Sequence, residues 1–366
     1  MSDPEGLICC FSCLSVFPCI RNALVRKIAF RPPAKSGYSV SQDGQFRHLN
    51  SYGTYTAPSP VPGLSWELIE LEDGWGQTIN ALYIQNASNV TGMTVMHFHG
   101  NSTDIGYSFA QMRAYAQEIG CNVIQLEYPG YGMCNGTPGE GSITKAARSL
   151  YDYLVQTCRI PSGRIVLHGV SIGSVCACDL ASRVPVAGVI LQSGLRSGLS
   201  LVRKDANHDS CADIFRNAHK LSSVNCPVFV IHGKLDQQIT VRHGQGLYEA
   251  APNKYPAWWV PDAGHNDIEM KHRHMFATKV KEFLVFVGGG GGGGFVASGV
   301  FSALSRSTPA AFFGGGGGLN YSHASLGGNQ ALAKSAYAPL VPYGGAQQPM
   351  AQSGLAYSQG GGLWGG

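Results

Sequence analysis

Charge is scarce in this chain: Asp, Glu, Lys and Arg make up only 13% of its 366 residues, about half the usual share for a soluble domain. The last 79 residues, from Gly288, contain no Asp or Glu at all. Nowhere do 18 or more apolar residues follow one another, which argues against a spanning helix. The basic excess is small as well. Of a net +4, the first 35 residues carry +3 and the tail +2, leaving −1 for residues 36–287. A near-neutral middle argues against a nucleic-acid partner, because binding phosphates takes a basic patch that displaces counterions. A disulfide framework is missing too. Four of the 11 cysteines (Cys9, Cys10, Cys13, Cys19) crowd the N-terminus, and the other seven are scattered without framework spacing. Reduced thiols in a cytosolic setting fit this better than paired ones.

What the chain has in excess is glycine, and the excess is local: 23 of the 49 glycines fall in the last 79 residues. Three zones follow. Residues 1–35 hold a Cys-rich apolar run and a basic stretch, residues 36–287 mix strand-like and helix-like patterns, and residues 288–366 form the Gly-rich tail. Glycine loses the most backbone entropy on folding, and the tail has few apolar side chains to offset that loss, so a disordered extension is expected.

The chain as a whole is 44% hydrophobic, enough to bury a sizeable core. Apolar runs open at Trp66, Ile79, Met93, Asn122, Arg164, Val186, Pro227 and Ala257. Amphipathic stretches lie between most of them, near residues 104–119, 142–158, 173–183, 241–249 and 268–286. Such alternation predicts an α/β fold, a mostly parallel sheet with helices on both faces. The first two runs have no helix between them, so the sheet is expected to start antiparallel. The polar stretch 200–224 is expected to form a small lid over the strand ends.

Within this pattern, His168-Gly169-Val170-Ser171-Ile172-Gly173 contains G-x-S-x-G. A bare match is weak evidence. Its setting is stronger: the run RIVLHG leads straight into it and the small-residue stretch GSVCACDLASRV follows. Strand, sharp turn and helix together form a nucleophile elbow, which presents the serine hydroxyl at the top of a sheet. A serine needs a base to take its proton, and the base needs an orienting acid. Both follow in the chain order of this fold. Asp236 comes a few residues after the run VFVIHG, and His265 sits in VPDAGHND after another apolar run. Asp262 and Asp267 flank His265 too closely to reach the far side of its ring, and His232, just before a turn glycine, reads as structural. For the oxyanion hole, the strand ending in His99-Gly100 places the backbone N–H of Asn101 as one donor, with Ser102 as a fallback, and that of Ile172 as the other. His97 and His99 share a strand face, but too few further ligands follow to make a metal site. Neither a metal nor a cofactor is implied.

The segments HGNSTDIG, EYPGYGMCNGTP, GVSIGS, ILQSGLRSG, VFVIHGKLD and AGHND together resemble the alpha/beta-hydrolase domain 17 family. The similarity runs from about residue 7 to 287. It implies an alpha/beta-hydrolase fold and a membrane-attached serine hydrolase that removes palmitate from cysteines of other proteins. Carried over by motif, Ser171 is nucleophile, Asp236 acid and His265 base. The chain departs from the family at Glu127-Tyr128, where aspartate precedes the tyrosine, at Met133-Cys134, where a serine is usual, and over residues 205–225.

The N-terminal cysteines sit among Leu7, Ile8, Phe11, Leu14, Val16, Phe17 and Ile20, followed by Arg21, Arg26 and Lys27. Acyl chains on Cys9, Cys10, Cys13 and Cys19 would each contribute about 0.8 kcal/mol per buried CH₂, and two or more give lasting attachment. The basic residues favour an anionic inner leaflet. A secretory signal fits less well, because Asp3 and Glu5 precede the apolar run and the positive charges follow it. The expectation is a lipid-anchored serine hydrolase on the cytoplasmic face of the plasma membrane or of endosomes. Its substrates would be S-acylated membrane proteins. The rival readings are a carboxylesterase or lipase acting on oxygen esters and a non-catalytic scaffold.

Overall fold

The computed structural model describes residues 26–27, 29–72, 76–202 and 213–289. Cys9, Cys10, Cys13 and Cys19 lie outside the described residues, as do positions 203–212 of the expected lid and the tail beyond Gly289.

Eight strands form one sheet in the order β11-β10-β9-β8-β6-β7-β5-β4. They are β4 (Leu64–Glu72), β5 (Thr78–Asn86), β6 (Thr94–Phe98), β7 (Asn122–Leu126), β8 (Ile165–Val170), β9 (Gly188–Gln192), β10 (Val228–Gly233) and β11 (Trp258–Val260). From β7 to β11 every pairing is parallel, while β4 and β5 run antiparallel at the other edge. This is the mostly parallel sheet that the alternating pattern predicts, in the alpha/beta-hydrolase arrangement that the resemblance implies. A hairpin without a helix can only join antiparallel neighbours, hence the antiparallel start. A second sheet of β1 (Tyr38–Val40), β2 (Phe46–Leu49) and β3 (Tyr55–Thr56) precedes it. These strands are too short to show a period in the sequence.

The central strands are buried on both sides, so alternate residues feed two cores. Met96, Phe98, Leu167 and Val230 face one core, with α2 (Glu140–Asp152) and α3 (Ser174–Ala181). Val95, Val166, Phe229 and Ile231 face the other, with α1 (Phe109–Ile119) and the last helix. In α1 the residues Phe109, Met112, Tyr115, Ala116 and Ile119 are buried, a helical apolar stripe, and left-handed Gly120 ends the helix. All eight residues of α3 are buried, consistent with its short side chains.

Further α-helices among the described residues are α4 (Leu199–Val202), α5 (Asn217–Leu221), α6 (Val241–Ala250), α7 (Ile268–Lys271) and α8 (Arg273–Gly289). The single helix expected over 268–286 is broken at His272, whose backbone is non-helical. Among the described residues no helix is long and apolar enough to cross a membrane. The folded body also takes in residues ahead of the expected boundary at 36. Phe30 is buried, with its ring edge-on to Phe215 at 6.0 Å. One aromatic between basic residues and prolines has no periodicity, so its burial left no trace in the sequence pattern.

Candidate active site

Each expected site residue within the described region lies at the C-terminal ends of the parallel strands, where open α/β sheets collect their functional groups. Ser171 follows β8 directly and has φ of +54°, a left-handed conformation that a side chain rarely adopts. The turn holds it there. A Cβ on Gly169 would lie 2.6 Å from the carbonyl oxygen of Gly173, and a Cβ on Gly173 would run into that of Phe98. Both glycines of G-x-S-x-G are therefore required by close backbone approach. A short 3₁₀ turn over Ser171–Gly173 then feeds α3. The Ser174 hydroxyl donates to the carbonyl of Ser171 at 2.6 Å, bracing the elbow from below.

His265 arrives from the loop after β11 and Asp236 from the loop after β10. The His265 Nε2 lies 3.0 Å from the Ser171 Oγ, and its Nδ1 lies 2.7 Å from the Asp236 Oδ2. A carboxylate only accepts, so Nδ1 carries the proton and the Nε2 lone pair faces the serine hydroxyl. The two loops are sewn together. Lys234 N–H donates to Val260 O at 2.8 Å and Leu235 N–H to Ala263 O at 2.9 Å. The other Asp236 oxygen, Oδ1, accepts the backbone N–H groups of Gln238 and Ile239 at 2.9 and 2.8 Å. Burial would raise the Asp236 pKa, but the hydrogen bonds from His232 and His265, the His265 charge and the Ile239 N–H together hold it well below the usual carboxylate range. The carboxyl is thus fixed as an anion behind the imidazole.

The two rejected carboxylates are engaged elsewhere. Asp262 pairs with His272 at 2.8 Å and Asp267 with Lys271 at 2.7 Å. His232, by contrast, is more than structural. Its Nε2 is 2.7 Å from the Ile239 carbonyl and 3.2 Å from the Asp236 Oδ2, so it clamps the loop that carries the acid. Its spacing of four residues before Asp236 was the only available signal. Ser193, at φ of +48° and fully buried, donates to the His265 carbonyl at 3.3 Å. Nothing in its sequence context marks it.

The loop after β6 lies beside the serine: a Cβ on Gly100 would sit 3.7 Å from that of Ser171. This brings the Gly100–Asn101 backbone beside Ser171, which Ile172 follows in the elbow turn. The positive end of α3 adds a favourable field for an anion there. Ser102 has φ of +60°, which marks the turn as tight. Glu127 supports it from within: Oε1 is 3.1 Å from the His99 Nε2, Oε2 accepts from Ile105 N–H at 3.2 Å, and Tyr128 donates its hydroxyl to the His99 carbonyl at 2.7 Å. Burial raises the Glu127 pKa against the opposing pull of His99. A carboxylate inside the apolar run NVIQLEY was its signal in the sequence. His97 is separate from this group. It is buried, with Nδ1 3.3 Å from the Gln125 side chain, while His99 faces Glu127. The two histidines therefore serve different partners and do not share a ligand site.

This arrangement is similar to known proteins at two levels. Residues 69–226 match the family described as alpha/beta hydrolase of unknown function (DUF1057), a stretch that contains Ser171 but ends before Asp236 and His265. The alpha/beta hydrolase domain-containing protein aho-3 of Caenorhabditis elegans is 30% identical over 263 residues, 72% of this chain and 78% of that one. Alpha/beta hydrolase domain-containing protein 17C of Mus musculus is 36% identical over 52% of this chain and 59% of its own length. The 17B protein of Xenopus tropicalis is 29% identical over 76% of this chain and 95% of its own. Among solved structures, an esterase of Pyrococcus furiosus aligns with a TM-score of 0.51 at 19% identity, over 63% of this chain and 96% of that one. That last likeness is one of fold.

Proposed function

The chain belongs to the alpha/beta-hydrolase domain 17 family, and from that premise we propose that it is a serine hydrolase that cleaves thioester-linked palmitate from cysteines of membrane-associated proteins. The observation that carries the reading is the hydrogen-bonded series Asp236–His265–Ser171, at 2.7 and 3.0 Å, ending on a serine in a strained left-handed turn. In the proposed reaction His265 Nε2 takes the Ser171 proton as Oγ attacks the thioester carbonyl. Asp236 holds the ring and stabilises the imidazolium. The backbone N–H groups of Asn101 and Ile172 receive the developing oxyanion. His265 then protonates the departing cysteine thiolate. In the second half it deprotonates a water, which attacks the acyl-enzyme and releases the fatty acid and Ser171.

The reading places the chain at the cytoplasmic face of a membrane, held by acyl chains on Cys9, Cys10, Cys13 and Cys19. The cysteines set among apolar residues and the basic residues behind them support it. It takes no metal and no cofactor, and its partners are S-acylated proteins and the inner leaflet.

The test compares hydrolysis of matched palmitoyl thioester and palmitoyl oxygen ester by the full chain, beside Ser171→Ala. A thioester preference that vanishes in the variant supports depalmitoylation. A preference for short oxygen esters would replace it with a carboxylesterase reading. Turnover that survives in Ser171→Ala would remove the serine mechanism altogether.

A further inference from the structure

Resting on the serine-hydrolase reading above, we infer that residues 29–31 are a positioning element of the catalytic site: they hold the loop that carries the Asn101 N–H, by way of the Asn101 side chain. The chain just downstream of the cysteine-rich segment then does more than tether the enzyme.

The side-chain amide of Asn101 is gripped at both ends. Its Oδ1 accepts the backbone N–H of Arg31 at 2.8 Å, the hydroxyl of Tyr131 at 2.7 Å and the N–H of Ser102 at 3.0 Å. Its Nδ2 donates to the carbonyl of Ala29 at 2.8 Å. The Tyr131 hydroxyl also accepts from the Arg31 N–H at 3.1 Å, closing a ring of three groups. Two of the four partners of this amide thus come from a strap some 70 residues earlier in the chain. The strap has its own anchor in the buried Phe30 ring, set edge-on to Phe215.

The loop needs outside support because its own geometry is unfavourable. Ser102 holds a left-handed φ of +60°, a conformation that persists only where neighbours over-determine it. One flank is fixed from the core, through His99–Glu127 and the bond from Tyr128 to the His99 carbonyl. Asn101 is past that support, at the end nearer solvent, and the strap supplies what is lacking there. A mere tether would need no hydrogen bond to this residue. The Asn101 amide could be satisfied by water, but water would not fix the turn, and a shift of about 1 Å at a reacting group can cost on the order of 10²-fold in rate.

The test uses the purified full chain and p-nitrophenyl butyrate, a soluble ester for which membrane attachment does not matter. Arg31→Pro removes the strap N–H, and Phe30→Ala releases the strap's anchor without touching Asn101. Each is compared with Asn101→Ala and with the corresponding double variant, after thermal melts have checked folding. We expect kcat to fall on the order of tenfold in each single variant, with KM within about twofold of wild type. The double variants should fall no further than Asn101→Ala, because both changes break one arrangement. Tyr131→Phe should lower kcat in the same direction by less. A wild-type kcat in both strap variants, or losses that multiply in the doubles, would overturn the inference while leaving the hydrolase reading intact. A wild-type chain that neither turns over the ester nor takes a fluorophosphonate label on Ser171 would overturn both.

Discussion

His168 lies three residues before Ser171 on β8, and His265 reaches the same serine from the loop after β11, yet their partners differ in kind. His265 has the Asp236 carboxylate on one ring nitrogen and the Ser171 hydroxyl on the other. His168 is fully buried between neutral groups, the Tyr115 hydroxyl at 3.2 Å and the Gln192 side-chain oxygen at 3.1 Å. Burial with no charge to compensate it pushes His168 down to about 4, against a weaker upward pull from Gln192. His97, with its ring centroid 5.1 Å away, is pushed well down chiefly by burial, and further by the neighbouring His168 and His99. A buried histidine among amides and phenols is therefore locked neutral and ties strands to helices. A carboxylate behind the ring and a hydroxyl in front of it are what suit a histidine to moving a proton.

That contrast can be broken in steps. The largest effect is expected from Ser171→Ala, which should lower kcat on the order of 10⁶-fold with the far-UV spectrum unchanged. Comparable turnover in wild type and variant would show that the serine is a turn residue only. Next comes Asp236→Asn, measured on the same substrate. An amide in place of the carboxylate lets the imidazole take the wrong tautomer, and a loss of roughly 10⁴-fold is expected. A loss below tenfold would mean that His265 does not depend on this anion.

The neutral histidine predicts a pH dependence of stability instead of activity. In the unfolded chain His168 titrates near its ordinary 6.5, and in the fold near about 4. Between those values the unfolded state binds more protons, so stability rises with pH. It is lost as pH falls from about 6.5 towards 4, by about 3 kcal/mol in all for this one group. Urea midpoints from pH 7 down to 4.5 should decline, with a shallower slope in His168→Gln; equal slopes would contradict the locked-neutral account. The smallest effect is expected at Asp262. Its partner is the half-buried His272, and Asp262 itself is largely exposed. Asp262→Asn should leave kcat within about twofold and the urea midpoint almost unchanged. A large loss of turnover there would mean that Asp262, not Asp236, orients the base.

Much of the fold was legible because its signals are local. Each of the eight apolar runs became a strand of the large sheet, and the first two, with no helix between them, became the antiparallel edge. The elbow was legible too, since strand, turn and small-residue helix are contiguous. What stayed hidden was either too short or too dispersed. The strands β1 to β3 span only two to four residues each. The break at His272 interrupts a pattern that reads as one helix. Glu127 looked like a family departure and proved to be the buried partner of His99. His232 looked structural and proved to touch Asp236.

By itself, then, the amino-acid sequence determined the order of strands and helices and the need for glycine ahead of Ser171. The first follows from side-chain period and, at Gly169, the second from backbone sterics within a few residues, whereas Gly173 is required by the Phe98 carbonyl that the fold brings against it. It also narrowed the base and the acid to a few positions at strand ends. Which of them lie together only the tertiary structure decided, because the deciding quantities are distances between residues far apart in the chain. His265 and Ser171 are separated by 94 residues and His265 and Asp236 by 29. The strap that reaches Asn101 is of the same kind: hydrogen bonds to backbone atoms, which no side-chain pattern records.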